Sequence, residues 1–445
     1  SSTTEEPVAG DASWNLWMWE DGKNGKEVKF VDRGDGSYYM VLDLSGRTGI
    51  LVRKYSNWNA GSKFGAAQEL TVSENSPVSL VADGEDLYFT GSGRYRIELS
   101  GTETKTVSFM GAFGSWMPDL NYGSIGEAGN SLAFRELASS VDKWIGLGID
   151  GLRLDAVKHI CGGMYSFDNA ANVSFLEKWY DRCNATFRKT HDSDFYMVGE
   201  VWLDAASVAP YYAGLPARFE FDFWERLKWV LNQRTGCYFA KDLTGYRKAY
   251  RAVRPGAIPA TILTNHDETR AATVLGRDLA KLKQAAAFLL TAEGEPYIYQ
   301  GEELGYWGLD DDDGGKDQLV RTPIVWDKAS EAAAADLGEY VDATLVTDGI
   351  SVKNQLQDSG SLLRTYLDWT RARNLCPALA KGTMSEHSKY NSSNTADKTV
   401  AAWYMTASGS KALVLHNVGS ADVTLDLASD KLDSMAVSLG SVSVS

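Results

Sequence analysis

Hydrophobic positions follow two different periods along this chain and divide it into three regions. Between residue 130 and about residue 380, short apolar runs with β-branched residues alternate with stretches of helical period such as 280–290. This alternation predicts βα units built on a parallel sheet. Before residue 90 and in roughly the last 50 residues, short strands and turns rich in Gly, Asp and Asn dominate. Both flanking regions are therefore predicted to be all-β.

The central region contains five predicted strands, and a helix over 131–147 precedes the first of them. The first strand ends at Asp155, and the others are predicted at 195–202, about 219–223, 261–267 and 296–300. The predicted organisation is a β-sandwich module at 1–92, a connector at 93–128, the βα region at 129–384 and a C-terminal β domain at 385–445.

Composition narrows the class of protein. The chain has 445 residues, 44% of them hydrophobic, and a formal net charge of −15. That charge argues against nucleic acid or an anionic membrane surface as a partner. No run of 18 apolar residues is present, so no membrane span is predicted. The 14 Trp, 21 Tyr and 15 Phe suit a protein that binds glycans, because sugar rings stack on flat aromatic side chains, although large barrels also use many aromatics. The four cysteines show no metal-type spacing and are interpreted as mostly buried thiols.

Three of the predicted strands carry a carboxylate at or near their carboxyl end: Asp155, Glu200 and Asp267. Taken singly, each has about even odds of being only a cap for the next helix. Together they favour an active site, because the carboxyl ends of barrel strands meet at one mouth. Arg153, two residues before Asp155, projects from the same face of its strand. Such a set can supply the nucleophile, the acid/base and the charge stabiliser of glycoside hydrolysis.

Four segments carry a family resemblance: Gly-Ile-Asp-Gly-Leu-Arg-Leu-Asp-Ala-Val-Lys-His at 148–159, Gly-Glu-Val-Trp at 199–202, Thr-Asn-His-Asp-Glu at 264–268 and Met-Pro-Asp-Leu-Asn at 117–121. They resemble the motifs of the α-amylase family of glycoside hydrolases, family 13. The agreement runs from about residue 113 to residue 326, and the nearest likeness is to the cell-surface starch-utilisation α-amylases of gut bacteria. The resemblance implies that Asp155 is the nucleophile, Glu200 the acid/base and Asp267 the transition-state stabiliser.

The same resemblance implies further roles. Arg153 and His266 would support the three carboxylates, and Lys158 and His159 would contact substrate. Asp119 and the backbone carbonyl of His159 match two ligands of a structural calcium site, and both are oxygen donors, as calcium requires.

The acidic run at 310–313 offers a second calcium hypothesis. An EF-hand loop alternates its acidic residues and ends in a glutamate, and this run does neither. A solvated surface loop is the favoured interpretation.

The opening strand of the N-terminal module predicts a sugar-binding surface. Trp17 and Trp19 are two residues apart and so share one face of a strand. Two coplanar rings on a solvated face would form a platform for an α-glucan, and Lys54 and Trp58 could add contacts. The alternative is that the rings fill the sandwich core. The pattern resembles starch-binding modules of the pullulanase type.

The family's eight-strand barrel is only partly represented in this sequence. Strands four to eight have counterparts, but no βα pattern precedes residue 91, and the family's Asn-His motif of the third strand has no match. The predicted fold is therefore α/β: the C-terminal part of a (β/α)8 TIM barrel (β4–β8), with an N-terminal β-sandwich and a C-terminal β domain. A missing N-terminal barrel segment (β1–β3), from the same chain or a companion fragment, is the expected partner.

The resemblance implies retaining endo-hydrolysis of α-1,4-glucosidic bonds in starch and maltooligosaccharides, outside the cell or at a bacterial outer-membrane surface. Two alternatives remain open. One is a pullulanase, neopullulanase or transglycosylase with the same three carboxylates. The other is a non-catalytic starch-binding fragment, against which the three intact carboxylates argue.

Overall fold

The computed structural model describes residues 14–20, 23–32, 36–44, 46–56, 58–72, 77–90, 93–101, 106–114, 117–118, 120, 122, 125–163, 166–167, 169–310, 312–327, 350–393, 398–434, 438 and 442. The chain divides into two compact units, Ser1–Val201 with Ala213–Leu215 and Trp202–Tyr212 with Pro216–Ser445. Among the described residues, no helix combines the length and apolar character needed to cross a membrane.

The strands of the first unit are β1 (Trp14–Glu20), β2 (Lys26–Lys29), β3 (Val31–Asp32), β4 (Tyr38–Leu44), β5 (Arg47–Lys54), β6 (Lys63–Gly65), β7 (Leu70–Val72), β8 (Val78–Ser79), β9 (Val81–Ala82), β10 (Leu87–Thr90), β11 (Gly93–Ser100), β12 (Thr106–Gly114), β13 (Met117–Pro118), β14 (Gly151–Leu154), β15 (Gly162–Gly163), β16 (Ser166–Phe167) and β17 (Tyr196–Gly199). Its helices are α1 (Leu132–Gly146) and α2 (Asn169–Phe187).

Two sheets form a sandwich in the N-terminal part of the first unit. One has the strand order β2-β1-β5-β10-β7, and the other has the order β13-β12-β11-β4-β3. Side chains that alternate along the strands, among them Leu16, Ile50 and Ile97, are fully buried between them. Strands β11 and β12 lie in the segment expected to be a connector, but β11 pairs with β4 and with β12, so this segment completes the second sheet.

A parallel pair of strands follows in the same unit. Strand β14 pairs in parallel with β17, and helix α2 lies between them in sequence. Helix α1 begins where predicted, because the Ser131 side chain accepts a hydrogen bond from the Phe134 N–H and so caps the helix.

The elements of the second unit are α3 (Ala205–Val208), β18 (Ala217–Glu220), α4 (Phe221–Gln233), α5 (Phe239–Val253), β19 (Ile258–Thr261), α6 (Ala271–Val274), α7 (Leu279–Thr291), β20 (Glu295–Pro296), α8 (Asp317–Val320), α9 (Val352–Gln357), α10 (Leu362–Leu375), α11 (Pro377–Lys381), β21 (Thr383–Glu386), β22 (Val400–Ala407) and β23 (Ser410–Asn417). Across both units, short 3-10 helices lie at Ile125–Asn130, Val157–His159, Ala209–Ala213, Glu302–Leu304 and Ala428–Asp430.

Strands β18, β19 and β20 are parallel neighbours, and β21, β22 and β23 form a separate antiparallel sheet. The antiparallel sheet packs on helices of the same unit through Trp403, which is fully buried beside Phe239 and Phe288. The predicted C-terminal β structure is thus present. Strand β20 is shorter than the predicted 296–300, because the ladder with β19 includes only Glu295 and Pro296.

Candidate active site

Arg153, Asp155 and Glu200 meet at the carboxyl ends of β14 and β17. The parallel register places Leu154 beside Gly199, and the Glu200 N–H donates to the Leu154 carbonyl at 2.9 Å. The two strands therefore end at the same height of the sheet, and their carboxylates lie at the same carboxyl-terminal edge.

Arg153 connects the two carboxylates directly. Its guanidinium donates one hydrogen bond to Asp155 Oδ1 and another to Glu200 Oε2, the latter at 2.5 Å. The side chain of Asp155 is 73% exposed, whereas that of Glu200 is 14% exposed. The two acids therefore differ strongly in their access to water.

The burial of Glu200 shifts the pKa of its carboxyl group. Burial raises the pKa of Glu200 above its ordinary value, the Arg153 charge opposes the rise, and the Asp155 charge adds to it. The site pairs a water-exposed carboxylate with a carboxyl group that holds its proton to higher pH. One group can attack an electrophilic carbon while the other donates a proton.

Lys158 and His159 lie in the 3-10 turn that follows Asp155. The Val157 N–H donates to the Glu200 carbonyl at 3.1 Å, which fixes the start of this turn against the end of β17. Burial lowers the pKa of Lys158, and the Glu200 charge opposes that shift. The predicted substrate-contacting residues of this turn therefore lie in the same unit as the two carboxylates.

Asp267 and His266 belong to the second unit, where they follow β19. Asp267 Oδ2 lies 3.2 Å from His266 Nε2. Asp267 Oδ1 accepts a hydrogen bond from Arg321 Nη2 at 2.9 Å, and Arg321 Nε donates to the His266 carbonyl at 2.9 Å. Sequence reasoning missed Arg321, which lies outside every motif that was singled out.

The acidic run at 310–313 is more than a solvated loop. Asp310 is 8% exposed, and its carboxylate accepts the Thr269 N–H at 2.9 Å and the Asp313 N–H at 2.8 Å. The prediction of a solvated loop is therefore wrong for Asp310. Its side chain binds the acidic run to the segment that follows Asp267, through the hydrogen bond from Thr269. Asp311 lies outside the described residues.

Of the two predicted calcium ligands, only His159 lies among the described residues. Asp119 lies outside the described residues. Within the part of the chain that the structure describes, no group of three or more His, Cys, Asp or Glu side chains could hold a metal ion.

Trp17 and Trp19 lie on the outer face of the N-terminal sandwich, in two separate ring pairs. Trp17 meets Trp58 edge to face at 5.3 Å between ring centroids, and Trp19 meets Tyr88 in the same way at 6.1 Å. Trp58 is 57% exposed. Each tryptophan therefore packs edge to face against a different ring, Trp17 against Trp58 and Trp19 against Tyr88.

Arg53 was not predicted, yet it joins the first ring pair. Its guanidinium lies 4.8 Å from the Trp17 ring and 4.5 Å from the Trp58 ring, and it is held by Glu27. The Lys54 ammonium lies instead over Tyr55, at 5.0 Å, and over Trp14, at 5.6 Å. Trp17, Arg53 and Trp58 are called the outer aromatic patch below.

Comparison with known proteins gives two family matches. Residues 99–382 match the family described as "Alpha amylase, catalytic domain", and residues 3–90 match "Alpha-amylase SusG, CBM58 domain". Alpha-amylase SusG of Bacteroides thetaiotaomicron is 42% identical over 409 residues, which cover 91% of this chain and 56% of that protein. The chain thus spans about half the length of this relative.

Two solved structures are similar in fold. The alpha-amylase from H. orenii matches with a TM-score of 0.56 and 26% identity over 72% of this chain and 62% of its own. Eubacterium rectale Amy13B matches with a TM-score of 0.58 and 24% identity over 75% of this chain and 61% of its own. The predicted architecture of a TIM-barrel catalytic domain, an N-terminal carbohydrate-binding module and a C-terminal sheet domain is confirmed at this level.

Proposed function

We propose that this chain, which belongs to the α-amylase family of glycoside hydrolases, catalyses retaining endo-hydrolysis of α-1,4-glucosidic bonds in starch and related α-glucans. The observation that carries the proposal is Arg153 bound at once to Asp155 and Glu200, at the ends of two adjacent parallel strands. A retaining glycosidase needs such a pair of neighbouring carboxyl groups with unequal proton affinity.

In the proposed reaction, Asp155 attacks the anomeric carbon while protonated Glu200 gives its proton to the leaving oxygen. Water that is deprotonated by Glu200 then attacks the same carbon and releases the covalent intermediate. The raised pKa of Glu200 supports its role as proton donor. The hydrogen bond from Arg153 would orient the Asp155 carboxylate for this attack.

Asp267 would stabilise the positive charge of the oxocarbenium-like transition state. Its contacts with Arg321 and His266 support this role, because they orient both carboxylate oxygens. Lys158 and His159 would contact sugars on the leaving-group side of the cleaved bond, and their place in the turn directly after Asp155 supports that assignment.

The N-terminal sandwich would bind the same polymer without cleaving it. The outer aromatic patch supports this role, because Trp58 presents a largely exposed ring beside Trp17 and the Arg53 charge. Trp19 would extend the surface through its pairing with Tyr88. Lys54 would contribute a polar contact at the margin of the patch.

Three further assignments rest on the same premise. Strands β14 and β17 of the first unit, and β18 to β20 of the second unit, would correspond to strands four to eight of the family's barrel. A structural calcium ion would be held by Asp119 and the carbonyl of His159, since both offer the oxygen ligands that calcium takes. The protein would act outside the cell or at its outer surface, because starch is too large to be taken up whole.

The test is a reducing-sugar assay on soluble starch with Asp155→Asn, Glu200→Gln and Asp267→Asn in a preparation that hydrolyses starch. Each substitution should lower kcat by roughly a thousandfold or more, since each group acts in the transition state. Asp150→Asn is the matched control, because Asp150 is an exposed carboxylate just before β14. Normal turnover by folded Asp155→Asn protein would refute the mechanism, and cleavage of pullulan in preference to amylose would refute the assigned linkage.

A further inference from the structure

We propose that Asn172 is a positioning residue for the turn that carries Lys158 and His159, and that it thereby determines how firmly the protein holds the leaving-group side of a glucan. The inference rests on the proposed function, because that function gives the two side chains a sugar to contact. Asn172 itself would touch no substrate.

Asn172 lies in the first turn of helix α2 and is fully buried, with 0% of its surface exposed. Its Nδ2 donates to the Lys158 carbonyl at 2.6 Å, and its Oδ1 accepts the Cys161 N–H at 2.7 Å. One amide side chain thus binds both a donor and an acceptor of the same short backbone segment. A side-chain amide suits this task, because its NH2 group donates and its oxygen accepts.

The other end of the segment is fixed by the strand that carries Glu200. The Val157 N–H donates to the Glu200 carbonyl at 3.1 Å, and the His159 N–H closes the turn on the Ala156 carbonyl at 2.9 Å. Ala156 has a φ of +45°, in the left-handed region that residues other than glycine rarely adopt. A backbone held in such a conformation needs support from its surroundings.

Different contacts position the nucleophile and the two residues of the turn. Asp155 lies before the turn and is bound by Arg153, so its position depends mainly on β14. Lys158 and His159 lie between the contact with Glu200 and the contact with Asn172, so their backbone loses the second of these contacts if the amide is removed. We therefore expect substitution of Asn172 to weaken contacts with the leaving group far more than it disturbs the bond-breaking groups.

The burial of Asn172 also bears on a possible role of this residue as a glycosylation site. The sequence Asn172-Val173-Ser174 matches the acceptor pattern for N-glycosylation. An acceptor asparagine must be reachable from solvent, and this one is enclosed. The amide at this position is therefore explained by its two backbone hydrogen bonds.

The experiment compares two substrates. Maltoheptaose has sugars on both sides of the cleaved bond. The second substrate, nitrophenyl maltotrioside, is an aryl glycoside whose leaving group is nitrophenol and contains no sugar. Asn172→Asp keeps the acceptor for Cys161 but turns an oxygen toward the Lys158 carbonyl. We expect kcat/KM for maltoheptaose to fall about tenfold, mainly through KM, and that for the aryl substrate to change less than about threefold.

Asn184→Asp is the matched control. Asn184 lies on the same helix, away from the turn, and is half-buried. Its side-chain amide also accepts and donates, from the Phe195 N–H at 2.8 Å and to the Asp194 carboxylate at 2.9 Å. It should leave the ratio of the two kcat/KM values unchanged. Asn172→Ser, which introduces no buried charge, repeats the test should the aspartate variant fail to fold.

Equal losses on both substrates, or the same change of ratio in Asn184→Asp, would overturn the inference and leave Asn172 a purely structural residue. Lys158→Ala adds a further requirement: combined with the Asn172 substitution it should show less than the sum of the two effects on maltoheptaose. Additive losses would overturn the inference as well. If the wild-type protein turned over neither substrate, the proposed function itself would fail, and this inference with it.

Discussion

Removal of the Arg153 guanidinium is the most direct test of the site geometry. Arg153→Met keeps much of the side-chain volume but deletes both hydrogen bonds, to Asp155 and to Glu200. A hydrogen bond to a charged group contributes about 1.5–3 kcal/mol. Because the Arg153 side chain is 34% exposed, the lower end, about 1.5 kcal/mol, applies to the bond to Glu200. The bond to Asp155, whose side chain is 73% exposed, contributes at most about 1 kcal/mol. Together the two bonds predict a loss of up to about seventyfold in kcat/KM.

The pH dependence gives the same substitution a second, independent outcome. The Arg153 charge lowers the pKa of Glu200, so its removal should raise that pKa further. Glu200 must carry a proton to act as the acid, and a higher pKa keeps it protonated to higher pH. The alkaline limb of kcat/KM should therefore move to higher pH in Arg153→Met.

The assay is kcat/KM on soluble starch across the pH range. Arg153→Lys is one control, since it retains the charge but not the two-pronged contact, and it should lose less activity than the methionine variant. Arg182→Met is another, because it deletes an ion pair with Asp142 between α1 and α2, away from the site. The reasoning would be refuted if Arg153→Met kept kcat/KM within about threefold of wild type with an unmoved alkaline limb.

Three further outcomes are expected. Arg247→Met should lower the free energy of unfolding by about 3–5 kcal/mol in denaturant titrations, since it leaves Glu220, itself 0% exposed, without its ion-pair partner; a loss below about 1 kcal/mol would contradict this. Burial raises the pKa of Glu302 to about 8, so the folded protein holds a proton there that the unfolded chain has released. Stability should accordingly fall as pH rises from about 4.5 to 8, by about 1.4 kcal/mol per unit, and Glu302→Gln should flatten that slope. Trp17→Ala combined with Trp58→Ala should remove most amylopectin binding in pull-down assays without lowering kcat on short maltooligosaccharides, and retention of full binding would exclude the outer aromatic patch.

Local patterns were sufficient wherever an element depends on its own residues. The helix predicted at 131–147 is α1, Leu132–Gly146, because its apolar period and the Ser131 cap are both written in neighbouring residues. The strands that precede Asp155 and Glu200 were found for the same reason, although β17 ends at Gly199 and not at the predicted residue 202. Boundaries were less secure: the strand expected at about 219–223 is β18, Ala217–Glu220, and Phe221 already begins helix α4. Aromatic residues suit either element, so composition alone did not place that change.

The contacts that complete the site were decided by tertiary structure. Arg321 binds Asp267 across 54 positions of sequence, and Asp310 binds Thr269 across 41. Asn172 joins the turn after Asp155 only because helix α2 returns against it. A single arginine, aspartate or asparagine has the same local signal whether it lies in solvent or in a buried network. Which of these holds depends on the packing of elements far apart in the chain, and burial then turns an ordinary polar side chain into one that orients its neighbours.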